Sequence, residues 1–381
     1  MTEPVNAFDL LEKLRKKNGK QNQNFKDLAR YLSFKAREKG IPIGGQFELT
    51  PRCCFDCKMC YVHLDEEHMN NRPVLPVETW KNLVHEAWEA GMLEASLTGG
   101  ECLAYPGFEE LFLYLHDLGC EVQVLTNGFL LDEQKIRFFQ NHMPARIQIT
   151  LYGWNEDVYE RVTGQRAFRC VTENARKAID AGLPVYLNVT PSVFLGEDVF
   201  ETIKAAKEIC RSVTVNSVVF PPREETGRSG LVAEPEAELY MKAYRLLDQL
   251  NGKDDVEISE EKLPPAGGSV HECTECGLRC GGGRSGYVVN WQGVMMPCNR
   301  MDMIRSYPLR DGFSKAWASI NQEAESWPRV PECEECVYRE ICNNCAGNIL
   351  LFAEPGELPT ALCEQTKYYV RHGVKSIPGC E

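Results

Sequence analysis

Along the first two thirds of the chain, short runs of apolar and β-branched residues alternate with longer stretches in which apolar positions recur every three or four residues. The short runs read as buried strands and the longer stretches as amphipathic helices. Six strands are predicted: Gln46–Thr50, Glu94–Thr98, Glu121–Thr126, Arg146–Tyr152, Pro184–Thr190 and Ser212–Phe220. Helices are predicted near Val77–Ala90, Phe108–Leu118, Asp132–Asn141, Phe168–Ala181 and Asp198–Cys210, three of them closed by Gly91, Gly119 and Gly182. Strict alternation implies an α/β fold with a parallel sheet. Six units suffice for a partial (β/α)6, TIM-like barrel but not for a closed eight-stranded one.

The flanks have different patterns. Ala7–Lys17 and Phe25–Lys39 read as amphipathic helices joined by the polar stretch Gly19–Asn24, and Ala233–Leu250 reads as a connecting helix before the linker Leu263–Ser269. From Val270 the chain is cysteine-dense and short of long regular elements, with a β-hairpin predicted over Tyr287–Met296. The expected organisation is an N-terminal helical segment (1–45), a barrel (46–232), a connecting helix and linker (233–269) and a small cysteine-rich domain (270–381) folded around metal.

Hydrophobic residues make up 43% and charged residues 25% of the 381, an ordinary globular balance. No run reaches the roughly 18 apolar residues of a membrane span, and the first residues lack a signal-peptide core, so a cytoplasmic location is expected. The net charge of -13, without a basic stripe, argues against nucleic acid as a partner. The 18 cysteines change the picture. In a reducing compartment they are not a disulfide framework, and metal or catalytic use leads. Four lie in 53–60 and nine in 273–363, while Cys102, Cys120, Cys170, Cys210 and Cys380 are scattered and read as small buried hydrophobes.

The unusual residues fall at strand C-termini, where barrel sites form. Thr98-Gly-Gly-Glu101 ends the second strand, Thr126-Asn-Gly128 the third, Leu151–Gly153 the fourth and Asn188–Pro191 the fifth. The cysteine cluster follows the first. Cys53, Cys57 and Cys60 leave gaps of three and two residues, close enough for one loop to wrap an iron–sulfur cubane with one iron lacking a protein ligand. A zinc site on Cys54, Cys57 and Cys60 is the alternative.

The triad after the first strand, followed by Gly99-Gly100-Glu101 after the second, resembles the radical S-adenosylmethionine (radical SAM) superfamily. The resemblance implies a 4Fe-4S cluster on Cys53, Cys57 and Cys60, whose open iron binds S-adenosylmethionine and cleaves it reductively to a 5'-deoxyadenosyl radical. Gly99, Gly100 and Glu101 then receive the methionine amino group, Arg161 meets its carboxylate, and Asn127, Thr150 and Asn188 lie near the cofactor. Cys102 stands where the family usually has proline.

The later cysteines resemble the SPASM extension, which binds two auxiliary 4Fe-4S clusters and brings the expected total to three. By position, Cys280, Cys298 and Cys345, with Cys276 or Cys273, would hold the inner cluster, and Cys333, Cys336, Cys342 and Cys363 the outer one. Only Asn343 and Asn344 precede Cys345, where the family usually has three residues. Two structural zinc sites are the bland alternative. SPASM relatives mostly crosslink or oxidise peptides and proteins, so a ribosomally made peptide is the expected substrate, with a flavodoxin or ferredoxin-type electron donor. The segment before Gln46 is short for a leader-recognition domain, which leaves a separate recognition protein or a substrate without a leader. An anaerobic sulfatase maturase is disfavoured because Asn299 follows Pro297-Cys298 where an acidic base is usual. A small-molecule or haem-pathway oxidase, its pocket shaped by Phe220–Gly230, and an iron–sulfur electron carrier are the other readings.

Overall fold

In the computed structural model, residues 31–64, 73–216, 219, 223, 237–252, 277–278, 280–338, 342, 345–350 and 353–371 are described. Strands β1 (Gly44–Glu48), β2 (Glu94–Thr98), β3 (Glu121–Thr126), β4 (Arg146–Thr150), β5 (Val185–Val189) and β6 (Val213–Val215) pair in parallel in sequence order. Right-handed crossovers that always advance in one direction put every helix on the same side, which is the winding of a barrel and not of a doubly wound sheet. The connecting helices are α1 (Val77–Glu89), α2 (Phe108–Asp117), α3 (Glu133–Asn141), α4 (Glu156–Thr163), α5 (Phe168–Asp180) and α6 (Asp198–Ile209).

Strand register separates two faces. Phe47, Leu97, Val124, Ile147, Ile149, Leu187 and Val213 align across neighbouring strands and are buried. Helix α1 turns Trp80, Leu83, Val84 and Ala87 onto this layer at helical spacing, and Trp80 meets Phe47 edge-on at 6.0 Å. Strand positions of the other parity carry Glu48, Ser96, Thr98, Gln123, Gln148, Thr150, Asn188 and Thr214. The concave face is therefore polar near the strand C-termini, where a purely structural barrel would be filled with Val, Ile and Leu.

The predicted strands and helices of the barrel are present with ends shifted by a few residues, and among the described residues the sixth strand covers Val213–Val215. One element was not expected. Helix α4 follows the fourth strand, capped by Asn155, whose side chain accepts from the Val158 amide at 2.9 Å, and closed by Gly164 at φ 74°.

The C-terminal part departs further from expectation. The hairpin strand β7 (Gly286–Val289) extends the sheet, pairing in parallel with β1 on the side away from β2, and β8 (Met295–Met296) returns antiparallel. The edge that β1 would otherwise expose is thus covered. Long helices are also present, α8 (Phe313–Ser326) and α9 (Thr360–Arg371), where few regular elements were expected. Helix α8 turns its apolar face onto the sheet. Phe313 and Trp317 pack on Tyr287 at 5.2 and 5.8 Å, and the Phe313 amide donates to Glu86 of α1 at 2.7 Å. Helix α7 (Ala237–Leu250) matches most of the predicted connecting helix, and residues 31–39 are helical. The Ala7–Lys17 helix, the 263–269 linker and most of Phe220–Gly230 lie outside the described residues. Among the described residues no helix is long and apolar enough to cross a membrane.

Candidate functional site

The loop after β1 carries Cys53, Cys57 and Cys60, and it is tied down on two sides. On one side the amides of Gly100 and Glu101 donate to the carbonyls of Thr50 (2.6 Å) and Arg52 (2.8 Å). A Cβ on Gly99, whose φ is +145°, would lie 2.5 Å from the Thr50 carbonyl oxygen, and one on Gly100 would strike that of Arg52. Glycine at both positions is therefore required by close backbone approach. On the other side, Asp56 and Lys58 donate to the carbonyls of Thr163 (2.8 Å) and Val162 (3.0 Å) at the end of α4. Phe55 anchors the middle of the loop, fully buried among Phe129, Tyr152 and Tyr159 with ring centroids 5.6 to 6.3 Å apart.

Two sulfurs of the triad have a backbone N–H of the loop directed at them. The Phe55 amide reaches Cys53 at 3.4 Å and the His63 amide reaches Cys60 at 3.2 Å. Burial, and next to it the three thiols, push the Tyr152 phenol well above its ordinary range. Burial also raises Cys57. Cys54 belongs to the site as well. The two adjacent thiols act on one another, raising Cys53 and lowering Cys54. Among the described residues no three His, Cys, Asp or Glu side chains converge on a point that could hold a single metal ion.

The Glu101 side chain turns inward and is wholly buried. Its carboxylate accepts from the Thr126 hydroxyl (2.7 Å), the Asn127 amide (2.8 Å) and the Leu103 amide (3.0 Å), joining the ends of β2 and β3. Burial outweighs these bonds and holds its carboxyl above the usual range. The Asn127 side chain donates to Cys54 at 3.2 Å and Cys53 at 3.4 Å, while its oxygen accepts from the Phe129 amide at 2.9 Å. Asn127 thus points at the cysteines. Cys102 is buried and donates to the Leu125 carbonyl at 3.3 Å, in keeping with a small core residue.

The remaining expected cofactor residues lie farther along the rim. Thr150 and Asn188 are direct partners in the β4–β5 register, and Asn188 accepts from the Thr214 hydroxyl at 3.1 Å and donates to Thr190 at 3.0 Å. Arg161, half exposed on α4, is paired with Asp198 at the start of α6, and the Trp154 indole donates to the same carboxylate at 2.8 Å.

A polar group that sequence reasoning passed over sits beside Cys60. Glu48, at the end of β1, forms a fully buried two-pronged ion pair with Arg223, at 2.7 and 2.9 Å. The guanidinium also lies over the Tyr61 ring at 5.3 Å, which places the Tyr61 hydroxyl in this group. Asn299 donates to that hydroxyl at 3.1 Å. Tyr61 follows Cys60 and Asn299 follows Cys298, so this bond joins the triad loop to the hairpin. Trp291 of the hairpin packs on Val62 and Leu64 of the same loop. A charged residue inside an alternating strand, Glu48, was the available signal.

The C-terminal cysteines fall into two groups. Cys280, Cys298 and Cys345 lie within electrostatic reach of one another, and burial pushes the Cys280 thiol up to about 12. Cys342 lies within reach of Cys333, Cys336 and Cys363, with burial raising it to about 11. The short spacing before Cys345 does not keep it from the first group. Cys273 and Cys276 lie outside the described residues.

A family model described as the radical SAM superfamily matches residues 47–209. The chain is 24% identical over 313 residues to a PqqA peptide cyclase of Bradyrhizobium diazoefficiens, covering 79% of this chain and 80% of the relative. It is 23% identical over 356 residues to the subtilosin biosynthesis protein AlbA of Bacillus subtilis, covering 89% and 75%. The fold is similar to that of Streptococcus suis SuiB bound to its precursor peptide SuiA, with a TM-score of 0.64 at 15% identity over 91% of this chain and 82% of that one.

Proposed function

We propose that this chain, whose residues 47–209 match the radical SAM superfamily, is a radical SAM enzyme that modifies a ribosomally made peptide with a 4Fe-4S cluster held by Cys53, Cys57 and Cys60. The observation that carries the cluster site is the donor set. Three sulfurs lie on one loop, and N–H donors are aimed at two of them, the environment of thiolate ligands, whose charge such donors stabilise. When bound, the cluster supplies the electron that cleaves S-adenosylmethionine and yields the 5'-deoxyadenosyl radical.

The chain's own residues divide the remaining work. The amides of Gly100 and Glu101 are spent on the cysteine loop, so this turn receives a methionine ammonium through its carbonyl oxygens. Glu101 is then a post that fixes the turn from within, and not a direct contact. Asn127 holds the Cys53–Cys54 corner. Asp198 fixes Arg161 with most guanidinium donors left for a carboxylate. Thr150, Asn188 and Gln148 line the polar face next to these groups.

Two auxiliary clusters complete the proposal, the inner on Cys280, Cys298 and Cys345 with Cys276 or Cys273, the outer on Cys333, Cys336, Cys342 and Cys363. The grouping of the described thiols supports this partition. A flavodoxin or ferredoxin-type protein would deliver the electrons. The peptide reading is supported by relatives whose names are a peptide cyclase and a bacteriocin biosynthesis protein.

Incubating the reduced, iron-loaded protein with S-adenosylmethionine and small peptides encoded beside its gene tests the substrate class. A product lighter by two hydrogens per crosslink or oxidation is expected. If a small molecule or porphyrin is converted and no peptide changes mass, the peptide reading is wrong.

A further inference from the structure

The concave face of the sheet is uncharged over most of its area. Ser96, Gln123, Gln148, Asn188 and Thr214 offer it hydroxyls and amides, and the buried charge of Glu48 is matched by Arg223. Arg146, the first residue of β4, is the exception. It is half-buried and alternates with the fully buried Ile147 and Ile149, so its side chain leaves the sheet on the concave side with Gln148 and Thr150. Among the inward positions of the described strands it is the only cation.

The guanidinium lies over the Tyr186 ring of β5, 4.3 Å from its centroid, a contact that holds the group in place and leaves its N–H edge for an acceptor. Among the described residues that edge finds no carboxylate, and its Nε–H, shut off from water, has no acceptor. The register partner of Arg146 on β3 is Gln123, an uncharged amide. Burial works against the charge, yet a guanidinium keeps it at any working pH. A side chain that only filled the space over Tyr186 would be better supplied by leucine or methionine, which bring no charge to desolvate. Glu94 and Glu121 are direct partners at the N-terminal ends of β2 and β3, and neither pairs with Arg146. Two like charges at that mouth of the barrel disfavour an anion entering there. The favoured approach to Arg146 is from the strand C-termini, where the expected cofactor residues lie.

We propose that Arg146 is a substrate-binding residue that receives a carboxylate of the peptide inside the barrel. This rests on the reading of the chain as a peptide-modifying enzyme whose radical forms at the strand C-termini. From Arg146 to Thr150 the strand runs about 13 Å, at about 3.3 Å per residue. An extended peptide covers that distance in about four residues, so the carboxylate belongs about four positions from the residue that loses hydrogen. An Asp or Glu side chain and the C-terminal carboxylate both have this chemistry.

The experiment is a ligand-observed NMR titration of the full iron-loaded protein with three probes. N-acetyl-dialanine carries a terminal carboxylate, N-acetylglutamate α-amide a side-chain carboxylate, and N-acetyl-dialanine amide neither. In wild type at least one carboxylate probe should bind about tenfold or more tightly than the amide, the range for a hydrogen bond to a charged group. The tighter of the two names the source. Arg146→Gln should abolish the preference, and Arg146→Lys should keep part of it, as a point charge without the fork. Thermal unfolding separates binding from support of the fold. Arg146→Gln should unfold at the wild-type temperature or above it, because no partner within the protein is lost. For a peptide that the enzyme converts, neutralising its carboxylate should raise KM about tenfold or more in wild type and leave KM unchanged in Arg146→Gln. No carboxylate preference in wild type, a preference that survives in Arg146→Gln, or a lowered unfolding temperature in that variant would overturn the proposal. If the probes depend on Arg146 and no peptide is converted, the carboxylate site stands and the peptide reading fails.

Discussion

The backbone amide of Asn127 donates to the Glu101 carboxylate at 2.8 Å, so the turn after β3 hangs on the side chain that ends the turn after β2. The same carboxylate takes two further donors. Glutamine in its place would turn an N–H2 group toward some of these donors. Glu101→Gln should cost about 1 to 3 kcal/mol, the range for leaving buried partners unsatisfied.

The pH dependence of that cost has a definite sign. Glu101 is raised above the ordinary carboxylate range by burial, so between its unfolded and folded values the native state binds the proton more tightly. Its contribution to stability is therefore gained as pH falls from the raised value toward the ordinary range. The stability gap between wild type and Glu101→Gln should widen as pH is lowered through that window in denaturant titrations. A gap that narrows contradicts the assignment of burial as the dominant effect.

Gly99 sets the distance between the Gly-Gly-Glu turn and the cysteine loop. Alanine there would combine an unfavourable backbone angle with a clash against the Thr50 carbonyl. Gly99→Ala should displace the loop and lower retained iron by about four atoms per chain, the content of one cubane. Gly182→Ala is the control. Its φ is also positive, at +81°, but its Cβ would meet nothing within 4 Å. It should cost about 1 kcal/mol or somewhat more in stability with iron unchanged.

The Glu48–Arg223 pair is buried beside the triad, and losing one partner strands the other. Arg223→Met should destabilise the protein by about 3 to 5 kcal/mol, whereas the double change Glu48→Met, Arg223→Met should recover most of that loss. Thermal unfolding of the two variants, compared with wild type, checks it. Equal destabilisation in both would mean that packing of the arginine stem matters more than the charge.

Much of the barrel was legible because period and punctuation agree. Trp80, Leu83, Val84 and Ala87 mark a helix face by spacing alone, and Ala95 and Leu97 mark a strand. Helix α4 went unread although Asn155 and Gly164 carry its start and stop signals, because its eight residues offer only two helical turns of pattern. The pairing of β7 with β1 was illegible for a different reason. Gly44 and Gly286 are partners across the whole length of the barrel sequence, and no local pattern encodes which strand edge a distant hairpin will cover. In the site, the triad and the Gly-Gly-Glu turn stand out by spacing. Tyr152, Tyr61 and Arg223 do not, since a tyrosine or arginine takes its meaning from what the fold sets beside it. The inward direction of Glu101 was equally hidden, because a carboxylate at a strand end can face either the turn or the core.

The most direct measurement is 5'-deoxyadenosine formation by anaerobically reduced protein supplied with S-adenosylmethionine, for wild type beside the triple variant Cys53→Ala, Cys57→Ala, Cys60→Ala. Wild type should produce it, and the triple variant should not while keeping the iron of the C-terminal sites. Equal product from both, or none from wild-type protein with a full iron complement, would contradict the assignment of the triad as the centre of the reaction.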